Sequence, residues 1–220
     1  MGLFIQGVKP WVPVSISVAV CGHYKRREMS ESLASQLDCP ISMDVGTRGS
    51  IANHDATLRL AAEADADWLI AIEDDAQPVA DFYDQAERAL RECPAPIASL
   101  YFGYVGKRDP GMDYLLRTQD RHWIMGTGLA NAVCLAVHRT FYPQLMSLCT
   151  ESNDLPADHR YSEAALQLGY DWVPHAYPSL VEHADVDSLI AGRPTPDFER
   201  KAYAVGGREV WSKDSKQWLT

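Results

Sequence analysis

Ala66-Asp-Trp-Leu-Ile-Ala-Ile-Glu-Asp-Asp-Ala76 is the stretch on which the fold of this chain turns. Trp68 to Ile72 is a short continuous apolar run rich in β-forming side chains, the pattern of a strand buried on both faces. It runs straight into Glu73, Asp74 and Asp75. Three adjacent carboxylates repel one another, and the end of a strand in a parallel sheet is where ligands bind. Residues two apart on an extended backbone point the same way. Glu73 and Asp75 are therefore expected to face one site and Asp74 another. Hard oxygen ligands suit Mg²⁺ or Mn²⁺, and such an ion can bridge the phosphates of a nucleoside diphosphate. The competing reading is a solvated acidic turn that caps the next helix.

On the N-terminal side, Ser15 to Cys21 is another apolar strand, followed by a helix from about Lys25 to Leu37 with Met29, Leu33 and Leu37 on its buried face. Ile41 to Val45 forms a second strand. Ser50 is placed to cap a helix in which Ile51, Asp55, Leu58 and Ala62 mark successive turns. On the C-terminal side, Pro78 sits near the start of a helix carrying Phe82, Ala86, Ala89 and Leu90, and Ile97 to Phe102 is a strand. This alternation predicts an α/β fold, a Rossmann-like sandwich with a mostly parallel central sheet and helices on both faces. Gly103 to Met125 is polar and irregular and reads as a loop or excursion. Leu129 to Val137 returns to the sheet. Ala157 to Leu168 is helical with Gly169 as its stop, and Tyr170 to Val173 is a strand. The pattern weakens from Ala191, so residues 1–190 read as the catalytic domain and 191–220 as a lid or wrap-around tail.

Composition narrows the function. A chain of 220 residues suits one α/β domain, and 46% hydrophobic with 23% charged residues is ordinary for a globular protein. The net charge of −10 weighs against a tight grip on nucleic acid, where phosphate neutralisation supplies most of the affinity. Cys21, Cys39, Cys93, Cys134 and Cys149 are odd in number and include no Cys-x-x-Cys pair. That argues against a disulfide framework and a thiolate zinc site, and for a reducing cytoplasm. No apolar run approaches the ~20 residues of a membrane helix, and Met1 to Pro13 lacks the apolar core of a signal peptide. There is no phosphate loop and no Gly-x-Gly-x-x-Gly fingerprint. A phosphate-bearing ligand then needs another positive charge, which a metal on the acidic cluster supplies. Lys25, Arg26 and Arg27 offer more, although a basic run at a helix start is commonly just solvated.

With Gly49-Ser-Ile-Ala-Asn53 and then Ala66 to Ala76, the chain resembles the nucleotide-binding half of a GT-A glycosyltransferase, in the style of the small enzymes encoded by bacteriophages. The resemblance spans roughly Ser15 to Leu189. It implies that Glu73 and Asp75 stand where the family carries its metal-binding Asp-x-Asp motif, Glu73 being a departure, with Asp74 beside the donor's phosphates and ribose. It places Asp44 against the base or ribose and Asn53 within hydrogen-bonding reach of the donor. Tyr177-Pro-Ser-Leu-Val-Glu-His183 is similar to the segment whose histidine completes the metal shell. Leu155-Pro-Ala-Asp-His-Arg160 puts Asp158 at the position of the catalytic base of inverting members. Gly126-Thr-Gly128 resembles the floor under the acceptor. Arg193 and Arg200 are candidates to clamp phosphate, and Trp123 to stack on a sugar. Plain structural roles compete at each position: Asp44 as a turn residue, Asn53 as a polar helix residue, Asp158 as a cap, Trp123 as packing. The implied activity moves a sugar from a nucleotide-sugar, a UDP-sugar by resemblance, to a hydroxyl on a glycan, a protein or a modified nucleobase. A metal-dependent nucleotidyltransferase and a non-catalytic nucleotide-sugar binding module are the alternatives.

Overall fold

The computed structural model describes residues 13–105, 107–149, 155–184, 186–187, 189 and 200–219. The chain begins with β1 (Ile16–His23), a 3-10 turn (Tyr24–Arg26), α1 (Arg27–Leu37), β2 (Ile41–Asp44), α2 (Ser50–Ala61) and β3 (Trp68–Glu73). It continues through β4 (Ala76–Pro78), α3 (Phe82–Arg91), β5 (Ile97–Ser99), β6 (Gly103–Val105), α4 (Pro110–Thr118), β7 (Trp123–Gly126) and β8 (Cys134–His138). Then follow α5 (Tyr142–Cys149), α6 (Ala157–Gln167), β9 (Val173–Ala176), β10 (Val181–His183), β11 (Arg200–Ala202) and β12 (Lys216–Trp218).

Eight strands form one sheet in the order β12-β7-β9-β5-β8-β3-β1-β2. The pairs β1–β2, β1–β3, β5–β9 and β12–β7 are parallel. β8 runs antiparallel between β3 and β5, and β7 runs antiparallel to β9. The α/β fold and the predominance of parallel pairing are as expected, and the reversal at β8 adds a feature that apolar patterning alone does not encode.

Strand parity divides the core. Val18, Val20, Ile70 and Ile72 pack with Leu33, Leu37, Phe82 and Ala86, on the face covered by α1 and α3. Ala19, Leu69 and Ala71 pack with Leu58, Ala61, Tyr161 and Ala164, on the face covered by α2 and α6. Continuing the alternation past Ile72 sends Glu73 towards α2 and α6, and Asp74 towards α1.

Several expectations are corrected. Residues 103–125 are not a loop: they hold β6, α4 and most of β7. Asp109 caps α4 by accepting hydrogen bonds from the amides of Gly111 (2.7 Å) and Met112 (3.2 Å), and Pro110 fits the first turn. The segment is polar because α4 buries little besides Leu116. The strand after α6 starts at Val173 rather than Tyr170, and the fourth predicted strand stops at Ser99. Gly169 ends the α6 segment with φ +89°, as a stop glycine should. Ser50 is the first helical residue of α2, not its cap; Gly49 holds the cap position. The described part of the tail is woven into the fold. β11 pairs with β6, β12 adds an edge strand beside β7, and Trp211 packs against Trp123 at 5.3 Å.

Candidate metal centre

The ends of β1, β2 and β3 lie side by side, with His23 opposite Asp44 and Cys21 opposite Glu73. Glu73 is the last residue of β3, and its amide donates to the Val133 carbonyl at 2.9 Å. Three residues on, β4 begins and pairs antiparallel with β10, setting His183 opposite Ala76. The Ala184 amide donates to the Asp75 carbonyl at 2.7 Å and locks the register. In this way His183 reaches the acidic cluster from more than a hundred residues away. Ligand atoms of Glu73, Asp75 and His183 lie within 4.8 Å of one another. Opposite ligands of an ion with bonds of about 2.1 Å sit about 4.2 Å apart, so small side-chain movements close this set on a divalent cation.

The hydrogen bonding of the cluster fits that role. His183 Nε2 is 3.6 Å from Asp75 Oδ2, too far for a hydrogen bond and suited to two ligands of one ion. Asp75 Oδ1 and His183 Nδ1 are buried without a hydrogen-bond partner among the described residues. A buried carboxylate oxygen left unpaired is costly, and a bound cation removes that cost. Two carboxylates and an imidazole form a donor set that could hold a divalent cation. Burial pushes Asp75 above the usual carboxylate range, and the Glu73 carboxylate adds to the rise against the pull of His183 and Arg26. Burial also works to raise Glu73, but the hydrogen bond and charge of His54, with His183 and Arg26, bring it below its ordinary value.

Asp74 faces the other way, as its parity requires. Its carboxylate accepts from the His23 amide (2.9 Å), Ser30 Oγ (3.3 Å) and Arg26 Nη1 (3.1 Å). Gly22 makes this approach possible, since a Cβ there would lie 2.8 Å from Ser30 Oγ and 2.9 Å from the Ile41 side chain. Arg26 spans both branches of the cluster, because the same Nη1 lies 2.5 Å from Asp75 Oδ2.

Asp44 and Asn53 line the cleft but are heavily committed to the protein. Asp44 Oδ1 accepts from the amides of Gly46, Thr47 and Arg48, and Oδ2 from Gly49. Burial opposes ionisation of Asp44, but these four amides together hold its carboxyl below the ordinary range. The loop they form needs left-handed glycines at Gly46 (φ +94°) and Gly49 (φ +79°). Asn53 ties α2 to both strands: Oδ1 accepts from Ser42 Oγ, and Nδ2 donates to the carbonyls of Gly22 and Ser42.

Beside the cluster are two adjoining cavities, of about 550 and 400 Å³, both bordered by Glu73, His183 and Arg200. Asp158 stands on the wall of the larger one, half-buried in the first turn of α6, where a carboxylate is favoured by the helix dipole. It does not cap the helix; Pro156 occupies that position, with no side-chain cap. The smaller cavity is bounded by Arg26, Asp44, Asn53, Asp74 and Asp75. Gly126, Thr127 and Gly128 border a third cavity of about 420 Å³, with Phe102, Ser162 and His175.

Some candidates fall elsewhere. Trp123 is wholly buried in the core, so it packs and does not present a face to a ligand. Lys25 is exposed, and Arg27 pairs with Glu31 at 3.3 Å. Arg193 lies outside the described residues. Two contributors carried no signal in the sequence. His54, next to Asn53 on α2, is buried with Nε2 3.0 Å from Glu73 Oε1 and holds that carboxylate in place. Burial opposes its protonation, but Cys21 and Glu73 outweigh that and raise it well above the ordinary histidine range. Arg160 is locked to Asp55 by two hydrogen bonds of 2.8 and 2.5 Å and fixes α6 against α2 behind Asp158. No protein-family model matches the chain, and no curated protein matches it.

Proposed function

We propose that this chain is a divalent-metal-dependent glycosyltransferase that takes the sugar of a nucleotide-sugar, with a UDP-sugar as the first donor to test. The observation that carries the reading is the convergence of Glu73, Asp75 and His183 from two distant parts of the chain beside paired cavities. Glu73, Asp75 and His183 are the residues to hold the ion, with His54 orienting Glu73. When bound, the ion supplies positive charge to the diphosphate of the donor and of the departing nucleotide. The smaller cavity suits the nucleotide, since it lies over the ends of β1 and β2. The larger suits the sugar and the acceptor hydroxyl, because Asp158 borders it.

In this scheme the Asp158 carboxylate accepts the hydroxyl proton as the acceptor oxygen bonds to the anomeric carbon. The bond from that carbon to the diphosphate oxygen breaks in the same displacement, so the product is inverted. A nucleotidyltransferase on the same site would release pyrophosphate instead of a nucleoside diphosphate. A metal-free binding module has one observation in its favour, the contact of Arg26 with Asp74 and Asp75, which already supplies a cation.

Titration calorimetry of UDP with and without Mn²⁺ tests the proposal. Binding is expected to require the ion in the wild type and to be lost in Asp75→Asn. Equal affinity in the presence and absence of Mn²⁺ removes the metal from the account.

A further inference from the structure

Arg26 is the cation most deeply committed to the acidic cluster, and its contacts pose a problem for any ion that binds there. Its Nη1 is 2.5 Å from Asp75 Oδ2, the same oxygen that lies 3.6 Å from His183 Nε2. The oxygen turned towards the imidazole ligand is therefore the one that the guanidinium holds. The same nitrogen reaches Asp74 Oδ1 at 3.1 Å, and Nη2 donates to the Asp187 carbonyl at 2.5 Å, just beyond the strand that carries His183. Arg26 also borders the smaller cavity together with Arg200. Arg48 and Arg160 spend their guanidinium groups on Ser42 with Asn53 and on Asp55, respectively.

We infer that Arg26 is an exchangeable counter-ion, giving up Asp75 when the divalent cation binds and turning to the phosphate oxygens of a metal-bound diphosphate. The inference rests on the proposed metal site and adds a ligand-binding residue to it. The reason is electrostatic. A guanidinium and a divalent cation on one buried carboxylate repel each other strongly even where each takes its own oxygen, since screening is weak there. Once displaced, a guanidinium at the cavity wall has a new anionic partner in the phosphates, and its planar fork suits two of their oxygens. Asp74 keeps its bonds from the His23 amide and Ser30 Oγ on Oδ2, and only its Oδ1 gives up a partner in the exchange.

The inference predicts effects of opposite sign from one substitution. Arg26→Gln keeps an amide N–H for Asp75 but removes the charge. It should bind Mn²⁺ alone about tenfold more tightly than the wild type, and bind UDP in the presence of saturating Mn²⁺ at least about tenfold more weakly. Arg26→Lys, which keeps the charge, should leave Mn²⁺ affinity close to wild type. Calorimetry with Mn²⁺ alone and with UDP at saturating Mn²⁺ measures both, and circular dichroism checks the fold of each variant. A residue that merely braces the cluster would weaken both affinities in Arg26→Gln, and that result overturns the exchange. Weaker UDP binding with unchanged Mn²⁺ affinity overturns it too, since no competition then exists. His183→Ala separates the two levels of the argument. If it binds Mn²⁺ as tightly as the wild type, the metal site itself is wrong and the exchange falls with it. If it loses Mn²⁺ while Arg26→Gln fails to gain, only the exchange is wrong.

Discussion

A half-buried carboxylate that is not tied up by a histidine or an arginine is free to take a proton, and Asp158 meets that description better than Glu73 or Asp75. Glu73 and Asp75 are bound to His54 and Arg26, whereas among the described residues the Asp158 carboxylate accepts only from the amide of its neighbour His159, at 3.0 Å. Asp158→Asn is therefore expected to keep UDP affinity in the presence of Mn²⁺ and to lower sugar transfer by roughly 10² or more, the usual share of a general base. A variant that transfers at nearly the native rate would reduce Asp158 to a favourable charge at a helix start. Single residues were unevenly legible. The side-by-side facing of Glu73 and Asp75, and the turning away of Asp74, followed from strand parity. Trp123 did not, because an aromatic residue beside glycines looks alike in a core and in a binding site until its neighbours are known. Arg26 stood out only as one of three basic residues; its partners lie about fifty and a hundred and sixty positions away and leave no mark in local sequence.

Elements that bury one face at a regular spacing were legible, and those held by long-range pairing were not. α1, α2 and α3 announced themselves through apolar repeats, α6 through its stop glycine, and β1, β3 and β8 through apolar runs. α4 is largely solvated, and β4, β6, β10 and β11 are three residues each, too short for a periodicity to show. Yet β4 and β10 are the pair that sets His183 against Asp75. Inside the sheet, β9 carries a histidine whose hydrogen bonds specify its charge. His175 Nδ1 lies 3.1 Å from the Val173 carbonyl and 3.2 Å from that of Ile124, so it donates, while Nε2 accepts from the Ala130 amide at 3.3 Å. A proton on Nε2 would face an N–H. Burial lowers His175 from 6.5 to about 4, against the smaller opposite pull of the two carbonyls. Between those values the unfolded chain binds the proton and the folded chain does not. Stability is thus full above pH 6.5 and falls as the pH drops towards 4, by about 3 kcal/mol from this one group. Urea unfolding at pH 7 and pH 4.5 should show that loss in the wild type and a smaller one in His175→Gln. An identical pH dependence in both proteins would mean that His175 is protonated in the fold.

At the scale of the whole molecule, the sheet works as a frame that brings together parts of the chain remote in sequence. The first three strands supply the acids and the cleft floor, β10 supplies His183, α6 supplies Asp158, and the tail returns to supply Arg200 from β11. Residues 191–199 of the expected tail lie outside the described residues. Arg208 ties the part beyond them to Asp120 (2.5 Å) and to the carbonyls of Tyr177 and Arg121 (both 2.8 Å). Among the described residues no helix is long and apolar enough to cross a membrane. The proposed chemistry of the site depends on the ion. A crystal grown with Mn²⁺ and UDP and measured for anomalous scattering of manganese decides it most directly. The predicted result is a single strong peak within about 2.0–2.3 Å of a carboxylate oxygen of Glu73, a carboxylate oxygen of Asp75 and a ring nitrogen of His183. UDP bound with no anomalous peak among these three residues would contradict it.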